Sequence, residues 1–72
     1  MTAQHDFPLA ENYINGKIFA RVRDISSAYP IAPYLVELYG YDEYGYQWVT
    51  GLHTFNNLND ARNCADDHAS RQ

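Results

Sequence analysis

The stretch Tyr39-Gly-Tyr-Asp-Glu-Tyr-Gly-Tyr-Gln-Trp48 places one tight turn between two runs of aromatic and branched residues. Within it, Asp42-Glu-Tyr-Gly45 has Asp first and Gly last, which is typical of a type I turn followed by a left-handed glycine. The flanking runs, residues 34–41 and 46–54, have strand length and strand-favouring composition. The stretch therefore predicts a β-hairpin with its turn at residues 42–45.

The turn type also predicts which strand residues face each other. Side chains alternate along a strand, so one face of the hairpin is expected to be buried. A slip of one residue would move Trp48 to the other face, and the burial of Trp48 therefore tests the register. The predicted pairs are Asp42–Tyr46, Gly40–Trp48, Leu38–Thr50 and Val36–Leu52, with a core face of Tyr34, Val36, Leu38, Trp48 and Leu52 and an outer face of Glu37, Tyr39, Tyr41, Gln47, Val49 and His53.

A helix is predicted after the hairpin. Asn56 or Asn57 supplies its N-cap, and Asp60 in the first turn complements the positive end of the helix dipole. Small and apolar residues then recur at helical spacing and give the helix one face for the sheet. Because these side chains are small, we expect the helix to approach the sheet closely. The stripe consists of Leu58, Ala61, Cys64, Ala65, His68 and Ala69.

The N-terminal part of the chain allows two interpretations. Asn15-Gly16 between apolar residues predicts a type I′ hairpin. Asp6 followed by Pro8 would instead suit a helix that ends at Asn15-Gly16. We favour the hairpin, and the alternation of residues 17–25 predicts a half-buried strand after it. Two prolines within residues 26–33 then indicate a surface connection.

Together these elements predict an α+β fold, a three- or four-stranded antiparallel sheet with one C-terminal helix packed on one face. A chain of 72 residues is expected to form a single domain over residues 1–72, with residues 1–5 as a flexible tail. The second face of the sheet would remain open. We expect it to expose Phe19, Arg21, Arg23, Tyr39, Tyr41 and Val49.

Composition narrows the class of protein. Cys64 is the only cysteine, so no intrachain disulfide forms, which fits a reducing compartment. The N-terminal residues lack both a basic start and a long apolar run, so neither a signal peptide nor a membrane span is predicted. We therefore expect a cytoplasmic location. A homodimer is one way for so small a domain to gain stability.

The negative charge lies in the C-terminal half. The formal net charge is −4; residues 34–72 carry six acids and two bases, whereas residues 1–33 carry three of each. This distribution disfavours nonspecific binding to nucleic acid or to anionic membranes, both of which require a basic surface. It favours a basic partner, although a modest negative charge also serves solubility alone.

No catalytic, metal or cofactor site is predicted. Cys64 and His68 lie four residues apart, a spacing used for metal ligation, but the further ligands of a closed site are lacking. Packing of Cys64 as a small hydrophobe is the favoured interpretation. The acid pairs Asp42-Glu43 and Asp66-Asp67 suit a charged turn and a solvated helix face rather than acid–base catalysis. We therefore expect a non-enzymatic protein.

Aromatic and acidic residues together predict a protein-binding surface. Tyrosine and tryptophan give large contact area at low entropic cost, and carboxylates on a rigid hairpin and a helix imitate a row of phosphates. A partner with a basic nucleic-acid groove would be attracted to them. The alternatives are a structural homodimer and single-stranded nucleic-acid binding on the open face, where aromatic and basic residues adjoin. The predicted partner-binding residues are Glu37, Tyr39, Tyr41, Asp42, Glu43, Tyr44, Asp66 and Asp67.

In size, acidity and α+β character the chain resembles small phage-encoded anti-CRISPR proteins. The segments that carry the resemblance are Tyr39-Gly-Tyr-Asp-Glu-Tyr-Gly-Tyr and Asp60-Ala-Arg-Asn-Cys-Ala-Asp-Asp67. The resemblance implies an inhibitor from a phage or mobile element that acts in the cytoplasm of a bacterial host. Such an inhibitor would bind a CRISPR effector subunit and block its DNA-binding site, in some cases as a DNA mimic.

Overall fold

The computed structural model describes residues 8–72, which form four strands followed by one helix. The tail expected at residues 1–5 and the alternative helix start at Asp6 lie outside the described residues. The predicted α+β fold is confirmed, and the sheet has four strands. The elements are β1 (Pro8–Ile14), β2 (Lys17–Asp24), β3 (Tyr34–Tyr41), β4 (Gln47–Phe55) and α1 (Leu58–Ser70).

All four strands form one antiparallel sheet, and their order in the sheet is their order in the chain. The turn between β1 and β2 lies at Asn15 and Gly16, whose φ angles of 52° and 79° are those that a type I′ turn requires. Ile14 faces Lys17 directly across this turn. The predicted hairpin is therefore confirmed, and the alternative helix ending at Asn15-Gly16 is wrong.

A surface loop joins β2 to β3, as the prolines predict. The loop is closed at its base because the backbone N–H of Ile25 donates to the carbonyl of Pro33 at 2.7 Å. Its first turn is held by the Asp24 carboxylate, which accepts a hydrogen bond from the backbone N–H of Ser26 at 2.8 Å. This loop lies at the end of β3 opposite to the β3–β4 turn.

The β3–β4 turn has the predicted form. Gly45 has φ 89°, in the left-handed region, and its N–H donates to the Asp42 carbonyl at 2.9 Å. The backbone N–H of Asp42 donates to the Tyr46 carbonyl at 3.0 Å. In addition, Asp42 Oδ1 accepts from the N–H groups of Tyr44 and Tyr46, each at 2.9 Å. Beyond the turn, Gly40 faces Trp48, which confirms that predicted pair.

One extra residue in β4 changes the register further along the hairpin. Val49 faces Tyr39 and Gly51 faces Leu38, so Thr50 has no partner of its own in β3 and forms a β-bulge. A bulge moves every later side chain of its strand by one position, which transfers it to the other face of the sheet. A glycine inside a strand often marks such a bulge, and Gly51 occupies that place.

The bulge overturns part of the predicted register. Val36 faces His53, and Glu37 faces Leu52, so the predicted pairs Leu38–Thr50 and Val36–Leu52 are wrong. Leu52 was expected on the core face; it lies on the opposite face and is 61% exposed. His53 was expected on the outer face and shares the face of Val36 instead.

Helix α1 begins after Asn57, which is its N-cap. Asn57 Oδ1 accepts hydrogen bonds from the backbone N–H groups of Asn59 at 2.8 Å and Asp60 at 3.2 Å. The predicted stripe faces the sheet, because Ala61, Ala65 and Ala69 are buried and Leu58, Cys64 and His68 are half-buried. The helix packs mainly on β2 and β3, less on β1, and least on β4.

The core between α1 and the sheet is thin and contains small side chains. Val22 and Val36 face each other across β2 and β3 and are the largest side chains that are fully buried. With only two layers, the described residues form a flat body of 40 × 28 × 16 Å. The buried cluster consists of Ala20, Val22, Val36, Leu38, Ala61 and Ala65.

Trp48 lies outside this core. Its indole covers Gly40, where an added Cβ would lie 3.6 Å from both Cε2 and Nε1 of the ring. The side chain is nevertheless 56% exposed, so its predicted burial is wrong. The reason is the position of α1. The helix packs mainly on β2 and β3, so it does not cover the indole on edge strand β4.

Candidate binding surface

The predicted partner-binding residues lie on three separate parts of the molecule. One group is on the face of the sheet that α1 does not cover, which we call the open face. A second group is at residues 42–48, which we call the hairpin tip, and a third is on α1. Since the sheet separates the open face from α1, the structure does not bring all eight residues together. The groups are Glu37, Tyr39 and Tyr41; Asp42, Glu43 and Tyr44; and Asp66 and Asp67.

On the open face, Glu37 is the centre of a polar network. Its carboxylate accepts a hydrogen bond from the Tyr39 hydroxyl at 2.8 Å and forms ion pairs with Arg23 at 3.4 Å and Arg21 at 3.9 Å. Arg21 also pairs with Glu11 of β1 at 3.1 Å. These contacts link three neighbouring strands. The charge of Glu37 is therefore balanced within the sheet rather than directed at solvent.

Tyr39 is part of this network and is buried. It is only 7% exposed, so its predicted exposure is wrong. Burial raises the pKa of Tyr39 above its ordinary value, and the neighbouring Glu37 carboxylate adds to that rise. The guanidinium of Arg21 lies over the ring, with its carbon 5.9 Å from the ring centroid.

Tyr41, two residues further along β3, also contacts its neighbours on the sheet. Its hydroxyl donates to the backbone carbonyl of Ile18 at 2.8 Å. The edge of Phe19 packs on it with ring centroids 5.1 Å apart, and the Lys17 ammonium lies 5.1 Å from the Tyr41 centroid. Basic and aromatic groups thus cover one another on this face. A stack of nucleotide bases on Tyr39 and Tyr41 would have to displace these contacts, which weakens the nucleic-acid alternative.

At the hairpin tip the aromatic side chains are exposed instead. Tyr44 is 77% exposed and Tyr46 is 73% exposed, and Trp48 follows near the start of β4. Glu43 is also exposed. The backbone that carries these side chains is fixed by the hydrogen bonds of the Asp42 turn. The tip therefore presents aromatic area and carboxylates from an ordered turn.

The acids of α1 are exposed, but they have partners on the protein itself. Asp66 accepts a hydrogen bond from the side-chain amide of Asn12 on β1 at 2.9 Å. Asp67 forms an ion pair with Arg71, one helical turn later, at 2.8 Å. Both interactions are solvated, so they contribute little stability. The Arg71 guanidinium also offsets the charge of Asp67, whereas the neutral Asn12 amide leaves the charge of Asp66 unchanged.

Cys64 and His68 lie on the same side of α1, but their surroundings are structural. His68 Nε2 is 2.9 Å from the carbonyl oxygen of Tyr39. A carbonyl only accepts, so this nitrogen carries a hydrogen and donates it. Burial raises the pKa of the Cys64 thiol, and the charge of Asp67 raises it further, which disfavours the reactive thiolate. Within residues 8–72, no three His, Cys, Asp or Glu side chains are grouped as a metal site would require.

A strip of exposed apolar residues along β4 was predicted only in part: Val49 was expected on the open face, whereas Leu52 and Trp48 were expected in the core. On the open face, Val49 is 51% exposed and Leu52 is 61% exposed. Trp48 is exposed on the opposite face, where α1 packs. Two signals in the sequence point to this strip. Gly51 indicates the bulge that turns Leu52 outward, and the whole run Gln47–Phe55 lacks an acid or a lysine or arginine.

Comparisons with known proteins found no match, so this domain is described by its structure alone. No protein-family model matches the chain, and neither a curated protein nor a solved structure matches it. No helix within residues 8–72 has the length and apolar character needed to cross a membrane. The described residues define a two-layer α+β domain with a structured open face and an exposed aromatic hairpin tip.

Proposed function

We propose that this protein is a non-enzymatic binding domain that recognises a basic protein partner with its hairpin tip. The observation that supports the proposal is the exposure of Tyr44, Tyr46 and Trp48 next to Asp42 and Glu43. Exposed apolar side chains that form one patch, rather than lying singly, often mark an interaction site. Their grouping on one turn favours a shared purpose.

The order of the turn makes the hairpin tip suited to binding. Four hydrogen bonds among Asp42, Tyr44, Gly45 and Tyr46 hold its backbone before any partner arrives. A surface that is ordered in advance loses less conformational entropy when it binds. Tyrosine and tryptophan add large contact area with few rotatable bonds. The hairpin tip therefore combines the features of an interaction hot spot.

Charge supports a basic partner. Asp42 and Glu43 are at the tip, and the chain as a whole carries a net charge of −4. Opposite charges on two proteins raise the rate at which they meet, and salt screens this effect. Glu37 and Asp67 form ion pairs within the protein, and Asp66 is hydrogen-bonded to Asn12, so the proposal places its acidic contacts at the tip.

A narrower form of the proposal follows from the resemblance to anti-CRISPR proteins. In this narrower proposal, the protein is a phage or mobile-element inhibitor. Its basic partner is a host defence effector, which it binds at the DNA-binding site. The tip would occupy that site and exclude DNA. Its support is the acidity of residues 34–72 and the exposure of Asp42 and Glu43 at the turn of the hairpin.

Capture from a bacterial lysate tests the general proposal when it is combined with matched variants. Tyr44→Ala should reduce capture of the partner by about tenfold or more, since loss of a hot-spot side chain costs about 2 kcal/mol. Tyr29→Ala is the control, because Tyr29 is also exposed, at 62%, but lies in the loop at the other end of β3. Equal capture by both variants would count against the hairpin tip.

Two further measurements test the charge and the narrower form. Glu43→Lys should weaken binding and reduce its dependence on salt. Duplex DNA added to the complex should release the partner if the tip occupies a DNA site. A partner that stays bound while it also binds DNA would overturn the inhibitor form and leave the general binding proposal standing.

A further inference from the structure

The two edges of the sheet differ in how well they are protected against pairing with another strand. Proteins commonly protect an edge with proline, charge or irregular pairing. Edge strand β1 has all three: Pro8 at its start, Glu11 within it, and two breaks in its register with β2. Edge strand β4 has no proline and no Asp, Glu, Lys or Arg among its nine residues.

Strand β4 also carries exposed apolar side chains on both of its faces. Val49 and Leu52 project from the open face, and Trp48 projects from the opposite face. Its one irregularity, the bulge at Thr50, leaves residues 51–55 as a regular segment paired with residues 34–38. The outer backbone groups of that segment are not used within residues 8–72, because β4 is the last strand of the sheet.

We propose that β4 pairs in antiparallel fashion with β4 of a second copy of this chain. A two-fold axis would relate the copies, and their sheets would join into one sheet of eight strands. The charge distribution favours a second copy of this chain as the partner of β4. Two copies that each carry a net charge of −4 repel one another, and they approach most easily where no charges face each other. A strand without Asp, Glu, Lys or Arg is complementary to itself in this respect.

The side chains favour the same arrangement. In an antiparallel pair centred on the regular segment, the two copies of His53 face each other at the axis, and each Leu52 lies one residue away on the open face, opposite Thr54 of the second copy. The paired strands would also satisfy the outer backbone groups of β4, as in any antiparallel ladder. The alanine-rich core is thin, so an additional apolar contact is a large gain for this domain.

Pairing of this kind is independent of the proposed function and compatible with it. The two hairpin tips would point to opposite ends of the joined sheet. Each would lie on the order of 30 Å from the axis at ~3.4 Å per residue. The tips would therefore remain free, and a dimer would present two of them, which raises avidity for a partner with two sites.

Mass in solution tests the proposal with two matched variants. Leu52→Lys places a charge near the axis on β4, and Leu9→Lys makes the same change on edge strand β1, where Leu9 is 45% exposed. Sedimentation over a concentration series should give twice the chain mass of 8.3 kDa for the wild type and for Leu9→Lys. Leu52→Lys should give the mass of one chain while its circular dichroism stays that of the folded protein.

Hydrogen exchange of the wild-type protein gives a test that does not depend on any variant folding. Protection of the β4 amides should rise with protein concentration, while protection of the β1 amides stays constant. The proposal is overturned if the wild type stays a monomer at every concentration, if Leu52→Lys still dimerises, or if larger aggregates form in place of a dimer. A dimer with unchanged β4 protection would also overturn it and would assign the contact to another surface.

Discussion

Truncation of Val36 to alanine should remove a large part of the stability of this domain. Val36 is fully buried at the centre of the sheet, where it faces Val22 and belongs to the cluster beneath Ala61 and Ala65. Every other member of that cluster except Leu38 is a valine or an alanine. Tyr34, Phe55 and Leu58 pack against the cluster and are partly buried, so the cavity left by the truncation depends on how far they move into it.

The magnitude follows from the groups that are lost. Val36→Ala removes two buried carbon groups, which contribute about 1.6 kcal/mol at ~0.8 kcal/mol each. The cavity that remains adds about 1 kcal/mol if the sheet does not collapse around it. The loss of unfolding free energy is then about 2.5 kcal/mol. Domains of this size have a total unfolding free energy of roughly 3–5 kcal/mol. The variant therefore keeps only a small part of it and should unfold on modest warming.

Urea unfolding followed by far-ultraviolet circular dichroism measures this loss. Val49→Ala is the matched control, because it makes the same chemical change on the exposed side of β4. Its cost should stay within about 0.5 kcal/mol, as for most surface substitutions. Both variants should keep the slope of the wild-type unfolding curve, since neither alters the surface that unfolding exposes.

Equal costs at Val36 and Val49 would refute the reasoning, because the core would then not lie between α1 and the centre of the sheet. A large cost at Val49 that disappears on dilution has a different meaning. It would assign the effect to pairing of β4 between copies, since the stabilisation that association gives the folded state grows with the logarithm of protein concentration. The concentration series therefore separates the core from the edge.

Three further outcomes are expected. Asn57→Ala should lower the unfolding free energy by about 1 kcal/mol through loss of the N-cap, while Asn56→Ala, one residue earlier, should have little effect in the same urea titration. Because burial raises the pKa of Tyr39, the contribution of its neutral form to stability is complete below about pH 10 and is lost as pH rises through the folded-state pKa. A Tyr39→Phe variant should therefore lose less unfolding free energy than the wild type between urea titrations at pH 9 and pH 11. Because burial also raises the pKa of the Cys64 thiol, alkylation near pH 8 should be slower in the folded protein than in urea, and equal rates would contradict this.

The parts of the fold that were predicted correctly depend on local chemistry. The turns at Asn15-Gly16 and Asp42–Gly45 follow from residues that tolerate left-handed backbone, and the helix start follows from a single asparagine side chain. Each of these features is decided within about four residues of chain. The stripe of α1 is likewise set by helical spacing alone.

The register of β3 and β4 could be predicted only as far as the bulge. From the turn to Val49 the pairs follow from turn geometry, but a bulge at Thr50 costs little locally and is selected by packing of the completed sheet. Gly51 was the one local signal for it. Once the extra residue is missed, Leu52 is assigned to the wrong face, since strand side chains alternate.

The candidate site depended on contacts between strands that are distant in the sequence. Glu37, Arg21 and Glu11 come from three strands, and only the register of β1, β2 and β3 shows that they form one network. When each strand is considered alone, its charged residues have no partner within the sheet, and they are therefore assigned to a binding surface. The positions of Asp42, Glu43 and Tyr44 were predicted better, because the turn that builds the hairpin also places them, whereas the exposure of Trp48 was not predicted.

The exposure of Trp48 and of β4 has one geometric cause. Four strands at about 4.8 Å spacing place the outer strands roughly 14 Å apart, whereas a helix with side chains is about 10 Å across. One alanine-rich helix is narrower still, and it lies close to β2 and β3. It therefore cannot cover both edges, and its contact with β1 through Asp66 and Asn12 leaves β4 uncovered. Because α1 is the one element of the second layer among residues 8–72, this part of the chain leaves Trp48 exposed.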